Sequence, residues 1–260
     1  MSRFFPRHDL YFATARRPNI AVSELNIPGS PDWLKGRTAL FASDFHLLPC
    51  MDPAPIAALM AGCEADLILL GGDYADQREQ ALRLFNAFKR LRAPLGIFAV
   101  CGNNDAEAFD GWGALRDALA SFGARLLINE SVSISCGDGA LRLGGMDEYK
   151  YGAPNGENLF SEGDGYRILM SHYPILSDCA CPPDLMLSGH THGGQFNLLG
   201  LTPYAIGFER IGELGKLAPA MVSGSERFGR TTLLVSKGVG TSRIPLRIGV
   251  RPEIHRIRFC

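Results

Sequence analysis

Leu185-Met186-Leu187-Ser188-Gly189-His190-Thr191-His192-Gly193-Gly194-Gln195 joins an apolar run with the character of a buried strand to two imidazoles one residue apart. The run stops at a small residue and a glycine, and the histidines leave where open α/β sheets gather ligands, beyond the carboxyl end of a strand. In extended geometry an i, i+2 pair projects both rings to one side. On a turn, the glycines let the backbone bend so that the rings point at neighbouring places. His-x-His alone also suits a surface loop, so the rest of the chain has to decide. Of six histidines, four (His46, His172, His190, His192) follow apolar, strand-like runs beside glycine, serine or aspartate, whereas His8 and His255 do not.

With 260 residues, 46% of them apolar, the chain can bury one large core. A formal net charge of −1 gives no bulk electrostatic case for nucleic-acid binding. The seven cysteines include no Cys-x-x-Cys. Cys179 and Cys181 are too close for an ordinary disulfide and too isolated for a zinc ribbon, and Cys63 and Cys101 lie in apolar surroundings as free thiols. A reducing, cytoplasmic setting is expected, since no run approaches the ~20 apolar residues of a membrane span and no secretory signal core is present. Residues 1–18 read as an N-terminal arm. Within 3–17, Arg3, Arg7, Arg16 and Arg17 alternate with Phe4, Phe5, Leu10, Tyr11 and Phe12, which suits peripheral contact with an anionic membrane or packing on the domain.

Residues 19–260 read as a single domain. The pattern predicts strands over 20–27, 38–45, 66–70 and 95–100, with helices over 53–62, 77–92 and 112–122, an alternation that argues for parallel strands. Short strands follow over 125–130, 132–136 and 140–146, with Asp138-Gly139 as a hairpin signal. Further strands are expected over 167–170, 185–187, 231–236 and 253–259, and 196–229 gives no secure assignment. The expected fold is α/β, with a two-sheet core flanked by helices.

Asp44 and His46, Asp73, Asn103 and Asn104, His172, and His190 and His192 all fall at ends of apolar strands. Each has a bland explanation as a turn residue. None of those explanations predicts the same placement on five strands. Two carboxylates, an amide and four imidazoles suit a pair of intermediate divalent cations such as Mn, Fe, Zn or Ni, with Mn first, better than Mg or Ca alone. Two such ions ~3.5–4 Å apart clamp a phosphoryl group and lower the pKa of a water. Phosphate esters are then the natural substrates.

The ordered set Asp44-x-His46, Gly72-Asp73, Gly102-Asn103-x-Asp105, His172, Gly189-His190-x-His192 resembles the calcineurin-like metallophosphoesterase superfamily. Gly193-Gly194-Gln195, the stretch 235–247 and Pro252-Glu253-Ile254 look like a bacterial branch that includes UDP-diacylglucosamine pyrophosphohydrolase-like proteins. The resemblance implies a four-layer αββα sandwich of two mixed β-sheets and a dinuclear phosphoesterase acting on phosphodiester or pyrophosphate bonds through a metal-activated hydroxide. UDP-2,3-diacylglucosamine is a candidate substrate. Asp44, His46 and His192 would bind the first metal, Asn103, His172 and His190 the second, and Asp73 would bridge them. Asp105 and Gln195 fit supporting or turn-forming roles.

The superfamily usually has histidine where this chain has Asn104, a residue that contacts the phosphoryl group and protonates the leaving oxygen. An amide donates a hydrogen bond but delivers no proton at neutral pH. Leaving groups that depart unaided, such as a phenolate or a nucleoside monophosphate, are therefore expected to be favoured. A metal-stabilised scaffold without turnover is the competing reading, disfavoured by the intact set of seven ligands. The zinc hydrolase fold that shares His-x-His would want Asp-His shortly after the pair, where Gly193-Gly194-Gln195 stands. Arg243, Arg247 and Arg251 are open to two readings, a second phosphate site or a solvated face, and 198–228 to a lid, an acyl groove or a plain loop.

Overall fold

The buried apolar runs become the central strands of two stacked sheets. The computed structural model describes residues 12–14, 19–163, 165–176, 179–198, 201–203 and 222–260. The first sheet holds β2 (Ala21–Ile27), β3 (Thr38–Ala42), β4 (Leu67–Leu70), β5 (Ile97–Ala99), β6 (Ala124–Leu126) and β14 (Glu253–Phe259), in the order β2-β14-β3-β4-β5-β6. Strands β3 to β6 run parallel, while β14 is antiparallel to β3 and parallel to β2. The second sheet holds β7 (Glu130–Cys136), β8 (Gly139–Gly145), β9 (Tyr166–Met170), β10 (Leu185–Ser188), β11 (Gly224–Phe228) and β12 (Thr231–Val235), in the order β11-β12-β10-β9-β8-β7. Its four inner strands are parallel and its two edges antiparallel.

Side-chain alternation sorts the core into layers. In β3, Leu40 and Ala42 face helices while Ala39 and Phe41 face the second sheet. In β10, Leu185 and Leu187 meet the first sheet, and Met186 turns outward with Leu169 and Val235. Strands β3, β4, β9 and β10 are buried throughout, as expected of parallel strands covered on both faces. The helices α1 (Ala54–Ala61), α2 (Arg78–Phe88) and α4 (Gly111–Ala120) cover the first sheet, α2 through Ala81, Leu84, Phe85 and Phe88 at i, i+3, i+4, i+7. The outer face of the second sheet lies, among the described residues, under Met146, Leu159 and Phe160 and the half-buried Tyr149, Cys179 and Cys181. No helix among the described residues is long and apolar enough to cross a membrane.

The sequence pattern misses α3 (Asn103–Ala108), a six-residue helix between the strand expected over 95–100 and the helix expected over 112–122. Its start is set by Asp105, whose carboxylate accepts the Gly102 N–H at 2.8 Å. The hairpin loop is Gly137-Asp138, one residue earlier than expected, because Cys136 pairs with Gly139. The unassigned stretch contributes β11, and β1 (Phe12–Thr14) pairs antiparallel with β13 (Leu246–Ile248). The rest of the expected membrane-contacting segment, 3–11 and 15–17, lies outside the described residues, as do 204–221 of the candidate lid.

β14 enters the first sheet through Glu253. Its buried carboxylate accepts Ser23 Oγ at 2.9 Å, Lys237 Nζ at 2.9 Å and Lys237 N at 3.2 Å, and lies 3.2 Å from His255 Nε2. Burial alone would raise its pKa, but His255 and Lys237 hold it down at about 2. A carboxyl depressed on folding stabilises the protein above its unfolded pKa and loses that contribution as pH falls through the folded value. Glu253 should therefore contribute about 1–3 kcal/mol that disappears between about pH 4.5 and 2. Urea unfolding across that window should show a slope in wild type that is flatter in Glu253→Gln, which should also be less stable at pH 7.

Candidate metal centre

The two sheets present the carboxyl ends of their parallel strands at one edge, and the backbone ladders run on past those ends. Beyond β3 and β4, Gly71 N bonds Ala42 O at 2.8 Å, Asp44 N bonds Gly72 O at 2.9 Å and His46 N bonds Asp73 O at 3.1 Å. In the second sheet Gly189 N bonds His172 O at 3.0 Å, and Gly240 N closes on Asp44 O at 2.7 Å. At these strand ends five of the site's non-glycine residues hold left-handed backbone: Asp44 (φ 52°), His46 (35°), Asp73 (55°), His190 (68°) and His192 (53°). Such conformations cost on the order of 1–3 kcal/mol each and persist where neighbouring structure imposes them.

The strain brings the side chains together. Asp73 Oδ2 lies 3.3 Å from His46 Nε2 and 3.4 Å from His172 Nε2. Asp44 Oδ1 lies 3.5 Å from His192 Nε2, and Asp44 also accepts Ser43 Oγ at 2.6 Å and His190 N at 2.9 Å. Ligand-type atoms of Asp44, His46 and His192 fall within 4.8 Å of one another, and so do those of Asp44, Asp73 and His172. His190 Nδ1 stands 3.0 Å from Asn103 Oδ1. All seven residues expected to hold metal thus converge.

The donor chemistry fits divalent cations. His46 fixes its Nδ1 on Asp76 Oδ1 at 2.7 Å, and His172 fixes its Nδ1 on Gly71 O at 2.7 Å. Each therefore turns Nε2 into the cluster, the arrangement that outer partners impose on ligating imidazoles. Both Nε2 atoms are buried without a hydrogen-bond partner. Buried polar atoms are rarely left so, and a cation would satisfy them.

Burial alone would lower the pKa of His46 and His172, but Asp73, with Asp76 on His46, raises both to about 10. Burial also pushes Asp73 up, yet His172 and His46 hold it well below the usual carboxylate range. Asp44 is raised by burial. Burial and the charge of His172 drive His190 down to about 3, and burial with the charges of His46 and Arg247 depresses His192 well below its ordinary value. Protons on His46 and His172 stand in for cationic charge, and binding a dication would release them.

The supporting residues have definite tasks. Asp105 accepts Asp73 N at 2.8 Å and Tyr74 N at 2.9 Å, and burial with the Asp73 charge raises it to about 7. Gln195 clips the next loop by donating to Ser242 O at 3.1 Å and Ile244 O at 2.9 Å and accepting Ser242 N at 2.7 Å. Arg247 is buried, 1% exposed, and so is not part of a solvated face. It donates to Gly240 O at 2.7 Å and His192 O at 3.2 Å and lies 3.3 Å from His192 Nδ1. Arg243 is exposed, and Arg251 is taken up by Asn19 at 2.8 Å. The sequence reading missed Asp76, whose position three residues after Asp73 gave no signal. It also missed Tyr173, stacked on His190 at 3.9 Å between ring centroids.

The calcineurin-like phosphoesterase family model matches residues 38–194, the span that contains all seven clustered residues. The chain is 29% identical over 259 residues to a metallophosphoesterase, YkoQ, of Bacillus subtilis, with 94% of this chain and 92% of that protein covered. It is 32% identical over 227 residues to a metallophosphoesterase of Aquifex aeolicus, covering 82% and 81%. The phosphodiesterase YaeI of Escherichia coli is 31% identical over 229 residues, covering 83% and 79%.

The glycines of the motifs have a steric reason. A Cβ on Gly102 would stand 2.2 Å from Asp73 Oδ1, and one on Gly189 would stand 2.3 Å from Asp44 Oδ2. Gly102→Ala should displace the Asp73 carboxylate and weaken metal binding roughly 10–100-fold, the range seen when the support of a metal site is disturbed. Gly113→Ala, where a Cβ meets nothing within 4 Å, is the control. Elemental analysis after dialysis against limiting Mn checks the pair, and equal metal content would show that the carboxylate position is not set by Gly102.

Proposed function

Because the chain belongs to the calcineurin-like phosphoesterase family and is a metallophosphoesterase, we propose that it hydrolyses phosphodiester or pyrophosphate bonds with two divalent cations. Asp44, His46 and His192 would hold one, Asn103, His172 and His190 the other, and Asp73 would serve both. Mn is the first expectation for this oxygen and nitrogen set, with Fe, Zn or Ni next. The observation that carries the proposal is Asp73 Oδ2, within 3.4 Å of two partnerless imidazole nitrogens from different sheets. When bound, such a pair supplies Lewis-acid charge for the phosphoryl oxygens and a water of near-neutral pKa. Within this reaction class a lipid-linked nucleotide diphosphate such as UDP-2,3-diacylglucosamine is the finer substrate reading, and it rests on the likeness of the 235–247 segment to that branch.

Asn104 shapes which leaving groups succeed. Its Nδ2 donates to Asp73 Oδ2 at 2.7 Å and its backbone N to Asp73 Oδ1 at 2.9 Å. The amide thus orients the central carboxylate and retains a second N–H for a phosphoryl oxygen, but carries no proton to give. The leaving oxygen must depart with its charge or take a proton from water.

Asp73→Asn should lose bound metal and at least about 100-fold of turnover of bis(4-nitrophenyl) phosphate, beyond the ~10–100-fold typical of outer partners. A variant with metal and turnover both near wild type would end the dinuclear proposal. In a series of substituted phenyl and alkyl esters, the wild-type rate should fall steeply as leaving-group pKa rises. Asn104→His should rescue the poor leaving groups selectively, by at most ~10²–10⁴-fold. Asn104→Ala should cost about 0.5–3 kcal/mol, the range for one lost hydrogen bond. A flat dependence with chemistry rate-limiting would reveal another acid.

A further inference from the structure

The loop after β8 is tied to the centre from two sides. Asp147 and Glu148 are both buried and both spend their carboxylates on the loop itself. Asp147 accepts Glu148 N and Ala153 N, each at 2.8 Å. Glu148 accepts Lys150 N at 2.7 Å and Tyr151 N at 2.6 Å. Tyr173 is the residue stacked on His190, with its hydroxyl 3.4 Å from Asn103 Oδ1. On the other side Glu107 Oε1 receives Lys150 Nζ at 3.2 Å and the Tyr151 hydroxyl at 2.5 Å. Glu107 lies on α3, three residues after Asn104 and four after Asn103. Lys150 and Tyr151 are therefore fixed by Glu148 through their main chain and by Glu107, on the helix of the two asparagines, through their side chains.

We propose that Lys150 recognises a second anionic group, a phosphate or carboxylate carried beside the scissile phosphoryl. The inference rests on the phosphoesterase reading and names the class of substrate it prefers. Residues three and four apart on a helix have Cβ atoms about 5–6 Å apart, so the ammonium bonded to Glu107 sits roughly one turn out from the asparagines. That offset is too far for the phosphoryl under attack and suits its neighbour. Arg247, by contrast, is occupied with main-chain carbonyls. The Lys150 and Glu107 side chains are about half exposed, at 52% and 53%, a setting in which ion pairs are weak. Lys150 has three donors and holds its ammonium over the Tyr151 ring, with Nζ 4.5 Å from the centroid, so it can take an anion without leaving its place.

The test compares ethyl phosphate with phosphoglycolate, which adds a carboxylate to a ligand of similar size, by calorimetric titration of the Mn-loaded protein. A methyl ester of phosphoglycolate removes the added charge and reports any contribution from shape. Wild type should bind phosphoglycolate about tenfold more tightly than either companion. Lys150→Met should bring that ratio to near one, and Lys150→Arg should keep most of it. A wild-type ratio near one, or a Lys150→Met ratio equal to wild type, would overturn the assignment. An equal loss of affinity for all three ligands in Lys150→Met would also overturn it, by assigning Lys150 a merely structural role. Turnover of bis(4-nitrophenyl) phosphate by the same wild-type preparation separates the two proposals: its absence alongside a Lys150-dependent ratio would count against hydrolysis and leave the anion site standing.

Discussion

Two carboxylates, Asp44 and Asp73, are buried at 0% and 2% exposure, and that single constraint organises the protein. A charge removed from water is tolerated only beside an opposite charge and hydrogen-bond donors. Both carboxylates obtain donors from the chain: Ser43 and His190 N for Asp44, and Asn104 through side chain and backbone for Asp73. The compensating positive charge comes from imidazoles raised to about 10 or, when metal is present, from the cations themselves. The cluster is thus a site that binding completes.

Holding that arrangement requires backbone that ordinary side chains avoid. Left-handed conformations at Asp44, His46 and Asp73 are tolerable because ladder hydrogen bonds continue through those residues, while His190 is held by its N–H on the Asp44 carboxylate and His192 by Gln195 N and Arg247 on its carbonyl. Close approach sets the neighbours, since a side chain on Gly102 or Gly189 would occupy the space of a carboxylate oxygen. Support extends outward in the same manner. Arg247 gathers Gly240 and His192, Gln195 gathers Ser242 and Ile244, and Glu253 anchors Lys237 next to the loop that closes on Asp44.

The departure at Asn104 is consistent with its surroundings. An imidazole there would add a titrating group beside Asp73, whereas the amide gives the same carboxylate one neutral donation beside that of the backbone N–H. On the proposed reading, a centre built this way would bind and orient a phosphoryl group and would depend on the substrate for an easy departure. Selectivity would then fall to residues beyond the cluster, such as Lys150, held by Glu107 on the helix of Asn103 and Asn104.

The sequence by itself determined the strands other than β1, β11 and β13, their alternation with helices in the first half, and the seven residues at strand ends, because hydrophobic period and the chemistry of Asp, Asn and His are local properties. It could not show α3, whose start depends on Asp105 capping Gly102 while also holding Asp73 N and Tyr74 N from another strand end. Nor could it show that Arg247 is buried or that Asp76 and Tyr173 support His46 and His190, since those contacts join residues brought together only by folding. Which side of a strand a residue faces follows from a period of two. Which distant side chain it meets there follows only from the stacking of the two sheets, which places the ends of β3, β4 and β5 against those of β9 and β10.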